Sequence, residues 1–480
     1  VSERGDVVAE VGPLPAEGEQ PQRPPRGALV PEGPLPHDAH GAAALADLLD
    51  SDLGGDTTRN VVNQNAFGLP AKSLPGSSRA DFEVGDSFFT QNWVIAPAST
   101  TSRDGLGPTF NATACASCHT FDGRAEPPAE GGPATPGLLL RLSIAGKAAH
   151  GAPKAHPTYG GQLQDRSVPG VPAEGSIAIT YEDIEGAFAD GTTYTLRKPV
   201  YEIGDPAFGE PGEIMIGPRI APQIPGMGLL EAVPAATIER AADPDDADGD
   251  GISGRTNTVW DEVAGTTAIG RFGWKANVAS VRQQTAGAFS GDVGITSPVF
   301  PDADCPEAQT ACAAAPSGGS PEIDDDTFDA VVFYTRVLSV PAARDADDKN
   351  VRRGAQVFAD SGCASCHTPK LTTGASDIDA LANQTIHPFT DLLLHDMGPD
   401  LADGRPDFEA SGSEWRTPPL WGIGLVETIN GHTRFLHDGR ARNLLETILW
   451  HGGEGEASRD AVLDLPKKDR DALIDFLESR

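Results

Sequence analysis

The pentapeptide Cys-Ala-Ser-Cys-His occurs twice in this chain, at residues 115–119 and 363–367. Two thiols one helical turn apart, followed at once by an imidazole, are the groups that attach a c-type haem and ligate its iron. A shared zinc site would need its Cys and His pairs close together, whereas these motifs lie 248 residues apart (363 − 115) and each has its own His. A dithiol redox centre does not require that His. The spacing therefore predicts two covalently bound haem c groups, held by Cys115, Cys118, His119 and by Cys363, Cys366, His367.

An acidic run between the two motifs has the spacing of a calcium loop. Asp246, Asp248 and Asp250 stand at positions one, three and five, and Gly251 stands at position six, where such a loop turns sharply. Asn257 falls at position twelve, in place of the bidentate Glu of a standard loop. The run predicts a Ca²⁺ site formed by these three Asp and Asn257; the alternative is an acidic turn without a metal.

The two cysteines outside the haem motifs, Cys305 and Cys312, lie in a short loop rich in Ala, Pro and Asp. We expect them to form a disulfide, with a free buried pair as the alternative. A disulfide and c-type haem both indicate a periplasmic or otherwise extracytoplasmic location. The chain starts at Val1 without Met or a signal region, so we expect that an export signal has been removed, and an anchor upstream of Val1 stays an open alternative.

The overall charge and hydropathy exclude several classes of partner. The formal net charge is −34, from 70 acidic and 36 basic residues, which argues against nucleic acid or an anionic membrane surface. No run of 18 apolar residues is present, so no transmembrane span is predicted. The charge would steer a basic redox protein toward this chain; the alternative is a solvated acidic surface.

Composition and periodicity divide the chain into three parts. Residues 1–41 are rich in Pro, Glu and Gly, which predicts a linker or tether. Residues 42–340 are predicted to form an N-terminal haem c domain with a β insertion and the candidate calcium loop. Residues 341–480 are predicted to form a C-terminal cytochrome c domain. The predicted fold class is mainly α, with two cytochrome c-type haem domains, the first enlarged by loops and a β-hairpin.

Periodic segments support this division. Partial alternation over 177–188 and 193–203, around a turn at 189–191, predicts the hairpin. Helical apolar spacing predicts helices over 327–338, 351–358 and 467–477. A helix bearing Gly354, then the second haem motif, then a C-terminal helix packed across the first is the order of elements in cytochrome c.

Three segments near the C-terminus carry a family resemblance: WRTPPLW at 415–421, FLHDGR at 435–440 and NLLETILWH at 443–451. With them the chain resembles the bacterial di-haem cytochrome c peroxidase superfamily, which includes the methylamine-utilisation enzyme MauG. Its closest similarity there is to the branch of di-haem oxidoreductases with peroxidase-like and thiol-oxidoreductase-like members. Further segments that match this branch are GLGPTFNA at 105–112, YGGQLQD at 159–165, GRFGWKAN at 270–277 and DLLLHDMG at 391–398.

The resemblance implies a sixth ligand for the second haem. In the superfamily that ligand stands twelve residues after the Gly that matches Gly439, which here is His451 (439 + 12), where the peroxidases have Met and MauG-like enzymes have Tyr. The alternative is a surface histidine. A His367/His451 pair would lower the reduction potential, because Met ligation is what raises it.

The resemblance also implies residues around the first haem. Residues 274–284 are similar to a superfamily segment in which a Trp is followed by a Glu-Gln pair, so Gln283 and Gln284 are implied as pocket residues. Trp274 is a candidate electron relay between the haems, because an aromatic side chain can serve in that role; packing in the core is the alternative. Gln283 stands where the peroxidases have an acid–base Glu. Arg416 and Arg440 are candidate partners of haem propionates. Further candidates are Gln162 and Gln164 for the pocket, Trp421 for the relay, and His150 or His156 as a switchable ligand of the first haem.

The sequence thus predicts an extracytoplasmic di-haem oxidoreductase. It would reduce peroxide or a related small oxidant at the His119 haem and relay electrons through the His367/His451 haem. The expected partners are a small redox protein or a respiratory-chain donor or acceptor, together with the small-molecule oxidant. Two alternatives stay open: a non-catalytic electron-transfer cytochrome, and a MauG-like oxidase or oxygenase of an organic or protein substrate.

Overall fold

The computed structural model describes residues 45–132 and 135–480. The predicted linker at 1–41 lies outside the described residues. About 30% of the chain is helical and 18% is in strands, with several small sheets. The prediction of a mainly α fold is therefore wrong: the protein is a mixture of helices and small sheets. Several of the missed strands contain two to four residues, too few for alternation to be recognised in a sequence.

The helices begin after polar caps where the sequence supplies them. Asp348 Oδ1 accepts from the N–H groups of Asn350 and Val351 at the start of the helix that precedes the second haem motif. The helices are α1 Arg79–Thr90, α2 Cys115–Cys118, α3 Met227–Glu231, α4 Ala235–Ala241, α5 Val281–Ala288, α6 Thr310–Ala313, α7 Asp325–Val337, α8 Lys349–Asp360, α9 Val426–Asn430, α10 Leu444–Leu449, α11 Glu456–Asp464 and α12 Lys467–Glu478.

The strands pair antiparallel in small sheets. Their order is β1–β4, β3–β2–β7, β5–β6, β8–β9, β10–β11 and β12–β13. The strands are β1 Thr109–Phe110, β2 Leu138–Lys147, β3 Pro153–Lys154, β4 Arg166–Ser167, β5 Ser176–Ala187, β6 Thr193–Gly204, β7 Met215–Ile220, β8 Thr258–Asp261, β9 Thr266–Ile269, β10 Leu371–Thr372, β11 Thr385–Ile386, β12 Leu394–Asp396 and β13 Glu414–Arg416.

The same helix crossing occurs in front of both haem motifs. On α8, a Cβ added to Gly354 would overlap the carbonyl oxygen of Ala472 and lie 2.6 Å from Phe476 Cβ, both on α12. On α1, a Cβ added to Gly85 would overlap the carbonyl oxygen of Ala330 on α7. Glycine lets each pair of backbones approach this closely. The α8–α12 crossing matches the predicted order of elements, whereas α1 was not recognised in the sequence.

The predicted hairpin is confirmed as β5–β6, with a continuous register from Ser176 opposite Gly204 to Ala187 opposite Thr193. Its tip contacts the C-terminal helices, because Arg470 on α12 donates to the Asp190 carboxylate at 2.8 Å. The described residues, 45–132 and 135–480, form one compact unit. The division into two domains at 340/341 stays a prediction.

Two further expectations concern covalent and membrane features. The disulfide between Cys305 and Cys312 is confirmed, with their Cα atoms 5.7 Å apart. In the part of the chain that the structure describes, no helix is both long and apolar enough to cross a bilayer.

The glycine crossing gives a stability prediction. Gly354→Ala should lower the free energy of unfolding by about 1–3 kcal/mol, because the added methyl group forces α8 away from α12. Chemical denaturation of the holoprotein measures this change. The matched control is Gly76→Ala, since Gly76 is exposed and an added Cβ there meets no atom within 4 Å. An unchanged unfolding midpoint for Gly354→Ala would show that the crossing tolerates a wider spacing.

Candidate functional site

One internal cavity of about 660 Å³ reaches both Cys-Ala-Ser-Cys-His segments. Side chains from both halves of the chain line it, and most of the predicted site residues are among them. Those that line it are Cys115, Cys118, His119, Trp274, Gln283, Gln284, Cys363, Cys366, His367, Arg416 and His451. The fold therefore brings the two motifs to a common interior space.

Each motif is folded so that its thiols and imidazole reach this cavity from one turn. In the first motif, Cys115–Cys118 is a single helical turn, and His119 follows as its C-terminal cap. The second motif turns through a 3₁₀ segment at Cys363–Ser365. All four cysteines of the motifs are unpaired. Each motif therefore has two thiols available, which is the number needed to attach one haem through two thioether bonds.

Three imidazoles in the cavity are oriented in the same way. Nδ1 lies 2.8 Å from the Pro222 carbonyl oxygen in His119, 2.9 Å from that of Phe389 in His367, and 2.8 Å from that of Thr447 in His451. Because Nδ1–H donates to a carbonyl, the lone pair of each ring is on Nε2, where it can bind iron.

His451 lies close enough to His367 to influence its charge. Burial lowers the pKa of His367 to about 4, and the neighbouring His451 adds to that shift. Burial also lowers the pKa of His451. Both rings are therefore neutral near pH 7, which is the form that binds a metal.

Buried guanidinium groups in the wall fit the carboxylates of haem. The Nε–H of Arg124 donates to the Arg434 carbonyl at 2.7 Å, and that of Arg416 donates to the Gly273 carbonyl at 2.9 Å. Burial lowers the pKa of Arg124 to about 9 and that of Arg416 to about 10. A buried cation is costly unless an anion is near, and haem propionates carry that charge. These residues fit a haem. Arg124 was missed, although it stands five residues after His119.

Arg440, the other candidate propionate partner, has a different position. It is absent from the cavity lining, and its Nη2 lies 2.9 Å from the carboxylate of Asp438. Its Nη1 donates to the Asp400 carbonyl at 2.6 Å. Arg440 is therefore paired with the buried Asp438, and its role as a propionate partner stays a prediction.

Aromatic side chains form part of the cavity wall. Trp274 lines the cavity, and its Nε1–H donates to the Ile220 carbonyl at 2.9 Å. Its ring meets His437 edge-on at 6.5 Å, and His437 stacks on Trp415 at 3.7 Å between ring centroids. Trp421, the second relay candidate, is a fully buried member of the apolar core instead.

A histidine that the sequence did not single out lies against the second motif. His395 Nδ1 is 3.6 Å from Cys366 Sγ and 2.7 Å from a carboxylate oxygen of Glu454, and Nε2 is 2.9 Å from Asp391. Burial lowers its pKa, but the hydrogen bonds to Asp391, Cys366 and Glu454 raise it to about 12. Each ring nitrogen of His395 therefore faces a carboxylate, Glu454 at Nδ1 and Asp391 at Nε2.

The end of the cavity near the first motif contains a carboxylate that the sequence did not identify. Asp292 lines the cavity two helical turns after Gln284, and its main-chain oxygen accepts from the N–H groups of Asn111 and Ala112, both at 2.9 Å. Burial raises its pKa, while Arg141 and a hydrogen bond from Gln162 oppose that shift. The charge of Asp292 in turn adds to the burial that raises the pKa of Cys115 to about 12.

The predicted pocket amides differ in position. Gln283 lines the cavity, but its Nε2 donates to the Trp260 carbonyl at 3.1 Å, on the β8–β9 side. Gln284 also lines the cavity. Gln162 is buried beside Asp292, and its Nε2 donates to Asp292 Oδ1 at 3.0 Å. A carboxyl group, which Gln283 lacks, is therefore present in the same cavity on Asp292.

Neither candidate for a switchable ligand of the first haem lines the cavity. His150 stacks on Trp260 with their ring centroids 3.7 Å apart. His156 Nδ1 accepts from the N–H groups of Thr158 and Tyr159, and Nε2–H donates to the Pro211 carbonyl at 2.9 Å. The ring nitrogens of His156 are therefore committed to the main chain.

The carboxylates that cluster in the candidate calcium loop are not all the ones predicted from the sequence. Asp243, Asp246 and Asp248 each have an oxygen within 4.8 Å of the others. Asn257 is fully buried: its Nδ2 donates to the carbonyls of Lys275 and Asp407, and its Oδ1 accepts from a main-chain N–H. Asn257 therefore has a structural role, and Asp243 takes its place in the cluster. Asp250 Oδ1 accepts from the N–H of Ile252 at 2.9 Å, within its own turn.

A family model matches the chain segment that forms this cavity. Residues 49–480 match a family model described as "Di-haem oxidoreductase, putative peroxidase". Among proteins with curated functions, none matches the chain. The match covers most of the chain, includes both haem motifs, and confirms the resemblance inferred from the sequence. The family model covers most of the chain, and the two Cys-Ala-Ser-Cys-His motifs meet at one cavity. The chain therefore belongs to the family of di-haem oxidoreductases.

Proposed function

We propose that this protein is an extracytoplasmic c-type di-haem oxidoreductase that reduces peroxide, or a related small oxidant, at the haem held by His119. The haems would be attached through Cys115 and Cys118 and through Cys363 and Cys366. Haem iron, when bound, supplies the centre that exchanges electrons with the oxidant. The observation that carries the proposal is the carboxyl group of Asp292 in the cavity beside the first motif.

Asp292 supports acid–base chemistry because of its surroundings. Reduction of hydrogen peroxide to two water molecules consumes two electrons and two protons, and a positioned carboxyl group can take a proton from one oxygen and return it to the other. Gln162 holds Oδ1 from one side, at 3.0 Å. Burial raises the pKa of Asp292, which brings the carboxyl closer to exchanging protons near neutral pH.

The lining of the cavity supports a division of roles between the two haems. Within the described chain, the histidines that line it other than His119 all lie between residues 367 and 451. Met227 also lines it, but packs among apolar side chains of two core clusters. We assign His451 to the second haem as sixth ligand and Trp274 as the relay between the haems, and leave the sixth position of the first haem to the oxidant.

The acid–base role of Asp292 gives the first test of this proposal. Asp292→Asn should slow the reaction of the reduced enzyme with hydrogen peroxide by about 100-fold, because the amide cannot accept the proton. Stopped-flow absorbance of the first haem measures this rate. Asp302→Asn, which changes an exposed carboxylate ten residues away, is the matched control and should react at the wild-type rate. A wild-type rate in Asp292→Asn would remove Asp292 from the mechanism.

The ligand assignment at the second haem is tested separately. His451→Met should keep that haem low-spin and raise its reduction potential by on the order of 0.1 V, because a thioether favours ferrous iron over ferric iron. Spectroelectrochemical titration measures the potential. His150→Ala is the control, since His150 stacks on Trp260 and does not line the cavity. If the spectrum and potential of both haems stay unchanged in His451→Met, His451 is not a ligand.

The proposal of peroxide reduction competes with a non-catalytic electron-transfer cytochrome. In that case both haems would be six-coordinate, and ferric protein would show only low-spin spectra that ignore cyanide and peroxide. A high-spin ferric component that shifts on addition of either ligand favours catalysis. Turnover of an added organic or protein substrate with oxygen would favour a MauG-like activity instead. We expect the electron donor to be a small redox protein with a basic surface, given the net charge of −34.

We also propose that the acidic loop binds Ca²⁺ through Asp243, Asp246 and Asp248. Three clustered carboxylates repel one another, and a divalent cation would offset that repulsion. At a free Ca²⁺ concentration 100 times Kd, the folded state should gain about 2.7 kcal/mol, which calorimetry with and without chelator measures.

A matched pair of variants controls this experiment. Asp248→Asn should remove the calcium-dependent gain, and Asp245→Asn, at an exposed residue of the same loop, should keep it. Equal thermal stability with Ca²⁺ and with chelator in the wild-type protein would refute the site.

A further inference from the structure

A chain of buried amide and carboxyl groups lies behind Asp292. Gln162 Nε2 is surrounded by three oxygens: Asn111 Oδ1 at 2.7 Å, the Gly291 carbonyl at 2.9 Å and Asp292 Oδ1 at 3.0 Å. Gln162 is only 3% exposed, so water does not replace these partners. The hydrogen bonds to Asn111 and Gly291 fix the Gln162 side chain, and this fixed side chain in turn donates to Asp292.

The main chain that carries Asp292 is held by a second amide. The carbonyl oxygen of Gly291 accepts from Gln162 Nε2 and also from Gln164 Nε2, at 2.7 Å. Gly291 and Asp292 belong to a π-helical turn over Phe289–Val293 that directly follows α5. The two glutamines therefore fix the turn that presents the Asp292 carboxyl group to the cavity.

Gln164 is fixed in turn by a carboxyl group and by the disulfide loop. The N–H of Gln164 donates to Glu174 Oε2 at 2.7 Å. The other oxygen of Glu174 accepts from Nε2 of Gln309, which also donates to the Thr158 carbonyl at 2.8 Å. Gln309 lies between Cys305 and Cys312, inside the loop that their disulfide closes.

The buried carboxyl group of Glu174 has amide groups as partners rather than a cation. Glu174 and Gln309 are each 1% exposed, and in the described chain no Lys, Arg or His lies within ion-pair distance of Glu174. A buried carboxyl group without a cation lowers stability relative to an apolar side chain. Its two oxygens accept from Gln164 and Gln309, so it connects the disulfide loop to the turn of Asp292.

We propose that the loop closed by Cys305–Cys312 is a positioning element of the reactive pocket, acting on Asp292 through Gln309, Glu174, Gln164 and Gln162. This inference rests on the proposed function of Asp292. In the proposed reaction the O–O bond of hydrogen peroxide breaks, and the redox donor supplies two electrons while solvent supplies two protons. The Asp292 carboxylate carries a proton from one oxygen to the other, so that two water molecules form and Asp292 ends as it began.

Cyanide binding tests this role without turnover. Hydrogen cyanide must lose a proton when it binds ferric haem as cyanide, so a correctly placed carboxylate accelerates association. Glu174→Gln, Gln309→Ala and the double variant Cys305→Ser/Cys312→Ser should each slow cyanide association at the first haem by about tenfold or more. Glu182→Gln, on the exposed face of β5, is the matched control and should bind at the wild-type rate. The low-spin spectrum of the second haem reports that each variant is folded.

A double-mutant comparison separates positioning from general loosening of the fold. If the loop acts through Asp292, adding Glu174→Gln or the Cys305→Ser/Cys312→Ser pair to Asp292→Asn should produce no further slowing. A further tenfold slowing on the Asp292→Asn background would overturn the inference. So would wild-type association in all three loop variants while Asp292→Asn alone is slow, a result that leaves the proposed function intact.

The remaining outcomes are also decisive. If wild-type ferric protein binds neither cyanide nor peroxide, the proposed function fails, and this inference fails with it. If the double cysteine variant does not fold, Gln309→Ala and Glu174→Gln carry the test, because both leave the disulfide in place.

Discussion

Each of three imidazoles in the interior cavity donates its Nδ1–H to a backbone carbonyl, and the rest of the site depends on those bonds. The acceptors belong to Pro222, Phe389 and Thr447, so each ring direction is set by main chain rather than by another mobile side chain. A ring held in this way offers Nε2 to a metal without a rotational search. Pro222 lies 103 residues from His119 and Phe389 lies 22 residues from His367, whereas Thr447 lies one turn before His451 on α10. The surrounding fold must therefore form before the ligands are in place.

The two halves of the cavity share one way of packing and differ in chemistry. Both motifs follow a helix whose glycine, Gly85 or Gly354, lets a later helix cross at close range. Beyond that crossing the halves diverge: the second contains His451 as a candidate sixth ligand, whereas the first contains Asp292 and its buried amides. A duplicated support with two different pockets is consistent with one haem that reacts and one that stores or relays electrons.

Segments outside the helices supply side chains that distinguish the first pocket from the second. Arg141 on β2 lines the cavity, and the loop between β3 and β4 carries Gln162 and Gln164, which hold Asp292 and the Gly291 carbonyl. The tip of the β5–β6 hairpin contacts α12. Buried polar side chains in such segments need partners, and here each amide nitrogen finds a carbonyl or carboxylate. The loop of the disulfide joins the same network through Gln309. The mixed fold matters for the proposed function, because segments outside the helices carry the polar side chains that surround Asp292.

Covalent chemistry and local periodicity could be predicted from the sequence alone. The haem motifs, the disulfide pair, the hairpin and the helices that begin near 327, 351 and 467 are all short-range patterns, because one turn of helix or one alternating strand determines them. His451 came from a fixed offset in a family segment. Asp292, Arg124 and Glu174 could not be found in this way, because an acid or a base among 70 acidic and 36 basic residues carries no mark of burial. The groups that surround these three residues, and the hydrogen-bond partners that Arg440 and Asn257 find, depend on how distant parts of the chain pack together. Only the tertiary structure decides that, since hydrogen bonds between residues 111 and 292 or 174 and 309 exist only after the chain has folded around the cavity.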